Sequence, residues 1–297
     1  MHRHSSLAVL VGLAAASACA PTGASDPAPT EDSGAPRAGA DERDAAASPD
    51  PTSPGTSRQP GPSVVFSRSV QRVVLEVDYA ASAEPYEGER DGIGSVWDIF
   101  ADNAAALFGP TKTVWHPSGL SEMDRLDDVP SGAFRASDLE EIAERHRSMP
   151  SQGDTATFYA VFVDGVYIDE RGVQRPRRLG VTVGTTGIVG LFKPAIASVE
   201  AADATNGITA AILEQSTLVH ELAHAVGLVD NGIPQVTPHH DEEHPLHCTN
   251  ERCLMFWSNE GARDATAFAR AYVATGSRLL LGSECVLDVR TFEERLR

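Results

Sequence analysis

Residues 220–230, His-Glu-Leu-Ala-His-Ala-Val-Gly-Leu-Val-Asp, restrict what this chain can become more than any other stretch. They end an apolar run (Ile212, Leu213, Leu218, Val219, Leu222, Ala223, Val226, Leu228) with helical spacing, so a buried helix is expected, starting between Gly207 and Ser216. On that helix His220 and His224 are four residues apart and share one face. Two imidazoles placed in that way grip one zinc ion from the same side. Glu221 lies one step round the helix, where a carboxylate reaches a water at the metal and takes its proton. Gly227 then allows the positive φ that ends a helix. The turn returns the chain toward the metal, where a third ligand is needed.

H-E-x-x-H by itself is a modest signal, because an apolar helix can carry two incidental histidines. Here six of the ten histidines fall between positions 220 and 247: His220, His224, His239, His240, His244 and His247. A hydrolytic zinc site takes three protein ligands and keeps one position open. Two residues compete for the third place, Asp230 just past the turn and His247 further on. If His247 binds, Asp230 suits a supporting role, accepting a proton from a ligand imidazole. His239, His240 and His244 read as loop histidines on a polar surface, with one of them as the third ligand in place of His247 or Asp230 the alternative.

The extended pattern H-E-x-x-H-x-x-G-x-x-D resembles that of the metzincin clan of zinc peptidases, H-E-x-x-H-x-x-G-x-x-H/D. Downstream, His247-Cys248-Thr249-Asn250-Glu251-Arg252-Cys253-Leu254-Met255 reads H-C-x4-C-x-M. That is similar to the segment which archaemetzincins place directly after their glycine turn. The resemblance covers roughly residues 216–257. It implies His247 as the third ligand, Met255 as the Met-turn residue, and Asn231–Leu246 as an insertion. It also implies one catalytic zinc, Glu221 as general base, and hydrolysis of peptide bonds in a protein or peptide substrate. The fold it implies is α+β: a metzincin-like zincin domain with a mixed twisted sheet, an active-site helix and C-terminal helices. The later C-x-x-C with which archaemetzincins complete a second, cysteine-bound zinc is missing. Cys285 is the one cysteine downstream, so a second zinc of that kind is not expected. Two alternatives stay open. One is a gluzincin layout with a downstream glutamate such as Glu260 as ligand. The other is a zinc-binding surface lipoprotein without catalysis, in which the histidine-rich loop fills the fourth position.

The N-terminus reads as a targeting segment. Arg3 precedes a short apolar stretch, Leu7 to Ala18, too short to span a bilayer as a helix. It ends Ala16-Ser17-Ala18-Cys19, which resembles the lipobox of bacterial lipoproteins. Residues 1–19 are therefore expected to be a signal peptide, with Cys19 acylated and the protein anchored by lipid in the cell envelope. If the lipobox is not used, the protein is secreted. Residues 20–62 are almost entirely Ala, Pro, Ser, Gly, Thr, Asp and Glu, a composition that buries too little to fold. They read as a tether, leaving 63–297 as the peptidase domain. The formal net charge of −18 disfavours nucleic acid and anionic membrane surfaces as partners.

Within the domain, valine-rich alternation predicts a strand over Val64–Tyr79, and helical spacing predicts a helix over Ile93–Phe108. A charged helix is expected over Ser137–Arg147, with Ser137 and Glu140 in capping-box spacing. Further strands are expected at Thr111–Trp115, Thr155–Ile168 and Leu179–Val189, and C-terminal helices over Glu260–Thr275 and Leu287–Leu296. In an oxidising compartment one pair among Cys248, Cys253 and Cys285 should bridge. A bridge from Cys253 to Cys285 would staple the segment around Met255 to the last helix.

Overall fold

A computed structural model of the chain describes residues 60–202, 208–257, 277–278 and 280–297, all within the unit Arg43–Arg297. Cys19, the signal segment, most of the tether, Glu260 and the helix expected over 260–275 lie outside the described residues. Described order begins where expected, but in a helical turn, α1 (Pro62–Val65), with proline at its first position. Proline starts helices readily because its missing N–H has no partner there anyway. The strand that follows, β1 (Arg72–Ala80), is thus shorter than the valine pattern predicts.

The chain next forms a small hairpin, β2 (Glu89–Arg90) and β3 (Gly94–Ser95), and the helix α2 (Trp97–Phe108). Short strands follow: β4 (Thr113–Trp115), β5 (Asp124–Leu126) and β6 (Gly132–Phe134). Helix α3 (Ala136–His146) starts one residue before the expected capping box. Its N-terminus is held by Asp138, which accepts the Arg135 N–H at 2.7 Å, and not by Glu140. Thr155–Ile168, expected as one strand, is two: β7 (Thr155–Val163) and β8 (Gly165–Ile168). They separate at Asp164, whose carboxylate accepts the Ser82 hydroxyl at 2.9 Å, and β8 leaves to join β6 and β9 (Gln174–Arg175) in a second sheet.

Leu179–Val189 is likewise a hairpin and not a single strand. β10 (Gly180–Val183) and β11 (Ile188–Phe192) run antiparallel, because Gly184 and Gly187 take φ of 48° and 72° between them, values that glycine adopts without strain. The main sheet has the order β10-β11-β7-β1-β4, with β5 also paired to β1. Every pairing in it is parallel except β10 with β11. It is a mixed α/β arrangement with a mostly parallel centre. β1 and β7 are buried along almost their whole length, as central parallel strands are. β7 is a near-continuous apolar run, whereas β1 interrupts its apolar residues with the buried Glu76 and Asp78.

Helix α4 (Lys193–Ala202) leads to α5 (Ile208–Ala225), which carries the motif. The last helix is α6 (Ser283–Arg295). Helices α3 and α5 cover opposite faces of the β10–β11 hairpin. A Cβ on Gly190 would meet Leu139 of α3 at 2.5 Å, whereas one on Gly180 would meet Glu221 of α5 at 2.8 Å. α5 is held from beneath by Glu214, fully buried, which pairs with Lys193 and accepts the Tyr86 N–H at 2.6 Å. Among the described residues no helix is long and apolar enough to cross a membrane.

Candidate metal centres

His220 and His224 project from one face of α5, and their Nε2 atoms stand 3.0 Å apart. The helix ends because Gly227 takes φ of +95°. A side chain there would strike Asn231 O at 2.7 Å and Pro62 Cγ at 2.6 Å. Beyond the turn, Asn231 closes the helix end by donating to His224 O at 3.0 Å.

The chain returns through 231–246 and brings His247 against the pair, its ring centroid 5.5 Å from His220 and 5.0 Å from His224. All three imidazoles are buried, and one ligand atom from each lies within 4.8 Å of the others. The ring tautomers follow from the carbonyls beside them. His220 Nδ1 donates to Leu254 O at 2.9 Å, and His247 Nδ1 donates to Pro245 O at 3.0 Å. Each therefore offers Nε2 as a lone pair. A tetrahedral zinc with nitrogen bonds of about 2.0–2.1 Å spaces its ligands about 3.3 Å apart. The donor set and its spacing fit that ion.

Glu221 is buried beside the imidazoles. Thr182 of β10 lies with its Oγ1 2.7 Å from Glu221 Oε2 and 2.7 Å from Glu221 O. Gly180, two residues earlier on that strand, leaves the room that Glu221 Cγ and Thr217 occupy. Thr182 and Gly180 are absent from the sequence reading, since neither carries a motif; their register on a strand against α5 is what makes them relevant. Met255 is completely buried, and its carbonyl accepts the Cys248 N–H at 2.7 Å. Asp230 is exposed, with φ of +62°, and belongs to neither cluster of metal donors found among the described residues.

The second cluster joins His239, Cys248 and Cys285, all buried. Cys253 Sγ lies 3.6 Å from Cys285 Sγ. The expected bridge is not formed: no disulfide links Cys248, Cys253 or Cys285. His239 is not a surface loop residue. It is 6% exposed, with Nδ1 3.3 Å from Cys248 Sγ and Nε2 2.6 Å from Asp288 Oδ2 on α6. The expectation failed because a histidine's burial depends on what the loop packs against, and Asp288 is far away in sequence. The Cys248 thiol is held well below the ordinary thiol range, first by hydrogen bonds from Cys253 and Cys285 and then by His239. His240 pairs through its backbone with Cys248. His244 stacks flat on Trp257, with ring centroids 4.0 Å apart, and among the described residues neither His240 nor His244 enters a donor cluster.

No family model matches the chain, and no curated protein matches it. Among solved structures, a zinc-dependent peptidase from Methanocorpusculum labreanum aligns with 72% of this chain and 99% of its own length, at 12% identity and a TM-score of 0.43. A likeness of that size is a loose similarity of shape and carries no argument about activity.

Proposed function

We propose that the chain is a zinc-dependent endopeptidase, held at the cell envelope through lipid on Cys19. The observation that carries this reading is the convergence of three buried imidazoles, His220, His224 and His247, beside a carboxylate, Glu221, that is fixed against an edge strand. A zinc ion held there supplies a Lewis acid for a peptide carbonyl and a nucleophilic water at neutral pH. His220, His224 and His247 leave one position of a tetrahedral ion for substrate and water. Glu221 accepts the proton of the attacking water and delivers it to the leaving amine. Met255 forms an apolar floor beneath the imidazoles.

The peptide substrate is supported by β10. Among the described residues this strand ends the main sheet and pairs on one side only. Its outer edge therefore offers a row of backbone donors and acceptors to an extended chain. Thr182 places that edge directly beside Glu221. The lipid anchor rests on the Ala-Ser-Ala-Cys pattern and the tether-like composition after it.

Glu221→Gln tests the reading. The variant keeps its zinc and loses hydrolysis of a general substrate such as casein. Full activity in that variant, or a fourth protein ligand on the metal of wild-type protein, overturns the proposal.

A further inference from the structure

Three cysteines and a histidine meet in the core with no disulfide among them. Cys248 directly follows His247, and Cys253 directly precedes Leu254, whose carbonyl orients His220. Cys285 comes from the first turn of α6, and His239 from the segment 231–246 that separates the glycine turn from His247. Only the Cys-x4-Cys half belongs to the motif-bearing segment; His239 and Cys285 are brought to it by the fold. We propose that His239, Cys248, Cys253 and Cys285 hold a second zinc ion, and that this ion secures both ends of the segment that presents His247 and Leu254 to the first centre. The second ion stands on these four side chains alone, whereas its effect on His247 rests on the reading of the first cluster as a metal site.

The distances suit the ion. A tetrahedral zinc with sulfur bonds of about 2.3 Å places its sulfurs about 3.8 Å apart, and a sulfur and a nitrogen slightly closer. His239, Cys248 and Cys285 have ligand atoms within 4.8 Å of one another, with His239 Nδ1 3.3 Å from Cys248 Sγ. Cys253 stands outside that group of three and joins it through Cys285, its Sγ 3.6 Å from Cys285 Sγ. Three thiolates and an imidazole in a closed tetrahedral set select zinc and leave no position for substrate.

The surroundings are those of bound thiolates. The Gly282 N–H donates to Cys253 Sγ at 3.1 Å, and the Asn250 N–H to Cys248 Sγ at 3.4 Å. Such donors stabilise negative sulfur. Asp288 Oδ2 accepts His239 Nε2–H at 2.6 Å, which leaves the Nδ1 lone pair facing the sulfurs. The other oxygen of Asp288 accepts the Val236 N–H at 2.7 Å, so the same carboxylate holds the loop that delivers His239. An ordinary apolar core has no use for a histidine, an aspartate and two N–H···S contacts in this arrangement.

The test uses the full-length protein and counts metal. Wild-type protein should carry two zinc ions per chain, and His220→Ala/His224→Ala should carry one. Cobalt loaded into that double variant should give sulfur-to-cobalt charge-transfer absorption. His239→Ala and Cys285→Ser should each remove one ion, while His239→Cys, which restores a fourth soft donor, should keep both. Zinc affinity of the first centre should fall at least about tenfold in Cys285→Ser, as expected when the support around ligands is lost. A double variant that binds no metal, or one that shows a Cys253–Cys285 disulfide by mass, overturns the second ion. Unchanged affinity at the first centre in Cys285→Ser overturns the link to His247. Neither readout depends on proteolysis, so an inactive protein carrying two ions would sink the peptidase reading and leave this one standing.

Discussion

Thr182 Oγ1 lies 2.7 Å from the carboxylate of Glu221 and 2.7 Å from the main-chain oxygen of the same residue. One hydroxyl thus ties the edge strand β10 to α5 at the residue proposed as base. Thr182→Val keeps the shape and removes the hydroxyl. Losing a hydrogen bond to a charged group costs about 1.5–3 kcal/mol, which is roughly a tenfold to hundredfold loss of rate. The expected result is a fall in kcat with zinc content unchanged and KM little altered, and recovery in Thr182→Ser. Steady-state kinetics with a metal assay check it.

Gly180 has no room for a side chain. A Cβ there would come within 2.8 Å of both Glu221 Cγ and Thr217 Cγ2. Gly180→Ala should push β10 away from α5 and displace the Glu221 carboxylate. Activity is expected to fall by at least about tenfold, since small displacements of a catalytic group cost that much or more. The accompanying loss of stability is about 1–3 kcal/mol, the usual cost of overpacking. A thermal melt beside the activity assay separates the two effects.

His247 and Asp230 should behave oppositely. His247 meets the helix histidines in the core, while Asp230 is exposed and outside both clusters. Dialysed His247→Ala is expected to lose its catalytic zinc and its activity. Asp230→Ala is expected to retain both. Metal analysis after dialysis against a weak chelator decides between them; zinc retained by His247→Ala and lost by Asp230→Ala would reverse the assignment.

Asp78 makes stability depend on pH. Burial first of all, with Glu76 and Asp124 adding repulsion, pushes its carboxyl up to about 6 from 3.8, although Tyr159 donates to it at 2.6 Å. The folded chain therefore holds this proton more tightly than the unfolded chain. Between about pH 4 and pH 6 the folded state binds the extra proton, so this contribution falls as pH rises through the window and is fully lost above it. The difference is about 2–3 kcal/mol. Asp78→Asn should flatten the pH dependence of the urea midpoint across that window and raise stability at pH 7.

Cys19→Ala tests the anchor. The wild-type chain should partition with membranes and incorporate labelled fatty acid, and the variant should do neither. Membrane retention of the variant would remove the lipid from the proposal.

His220, Glu221, His224 and Gly227 could be read together because they occupy one helix and its exit. The helical period decides which side chains share a face, and glycine decides where the backbone can reverse. The apolar run of β7 was readable for a similar reason, since burial on both faces favours continuous hydrophobicity, and β1 through the valines that flank Glu76 and Asp78. The ends of strands were less so: the breaks at Asp164 and at Gly184–Gly187 split runs whose composition reads as continuous. Tertiary structure alone decided the rest. Thr182 matters because β10 lies against α5, and His239 because Asp288 on α6 receives its ring. Cys253 and Cys285 stand 3.6 Å apart, sulfur to sulfur, without the disulfide that the cysteine count predicted. Contacts between residues far apart in sequence leave no periodic trace in it. They arise only when the elements carrying them are packed, and packing is set by the whole core.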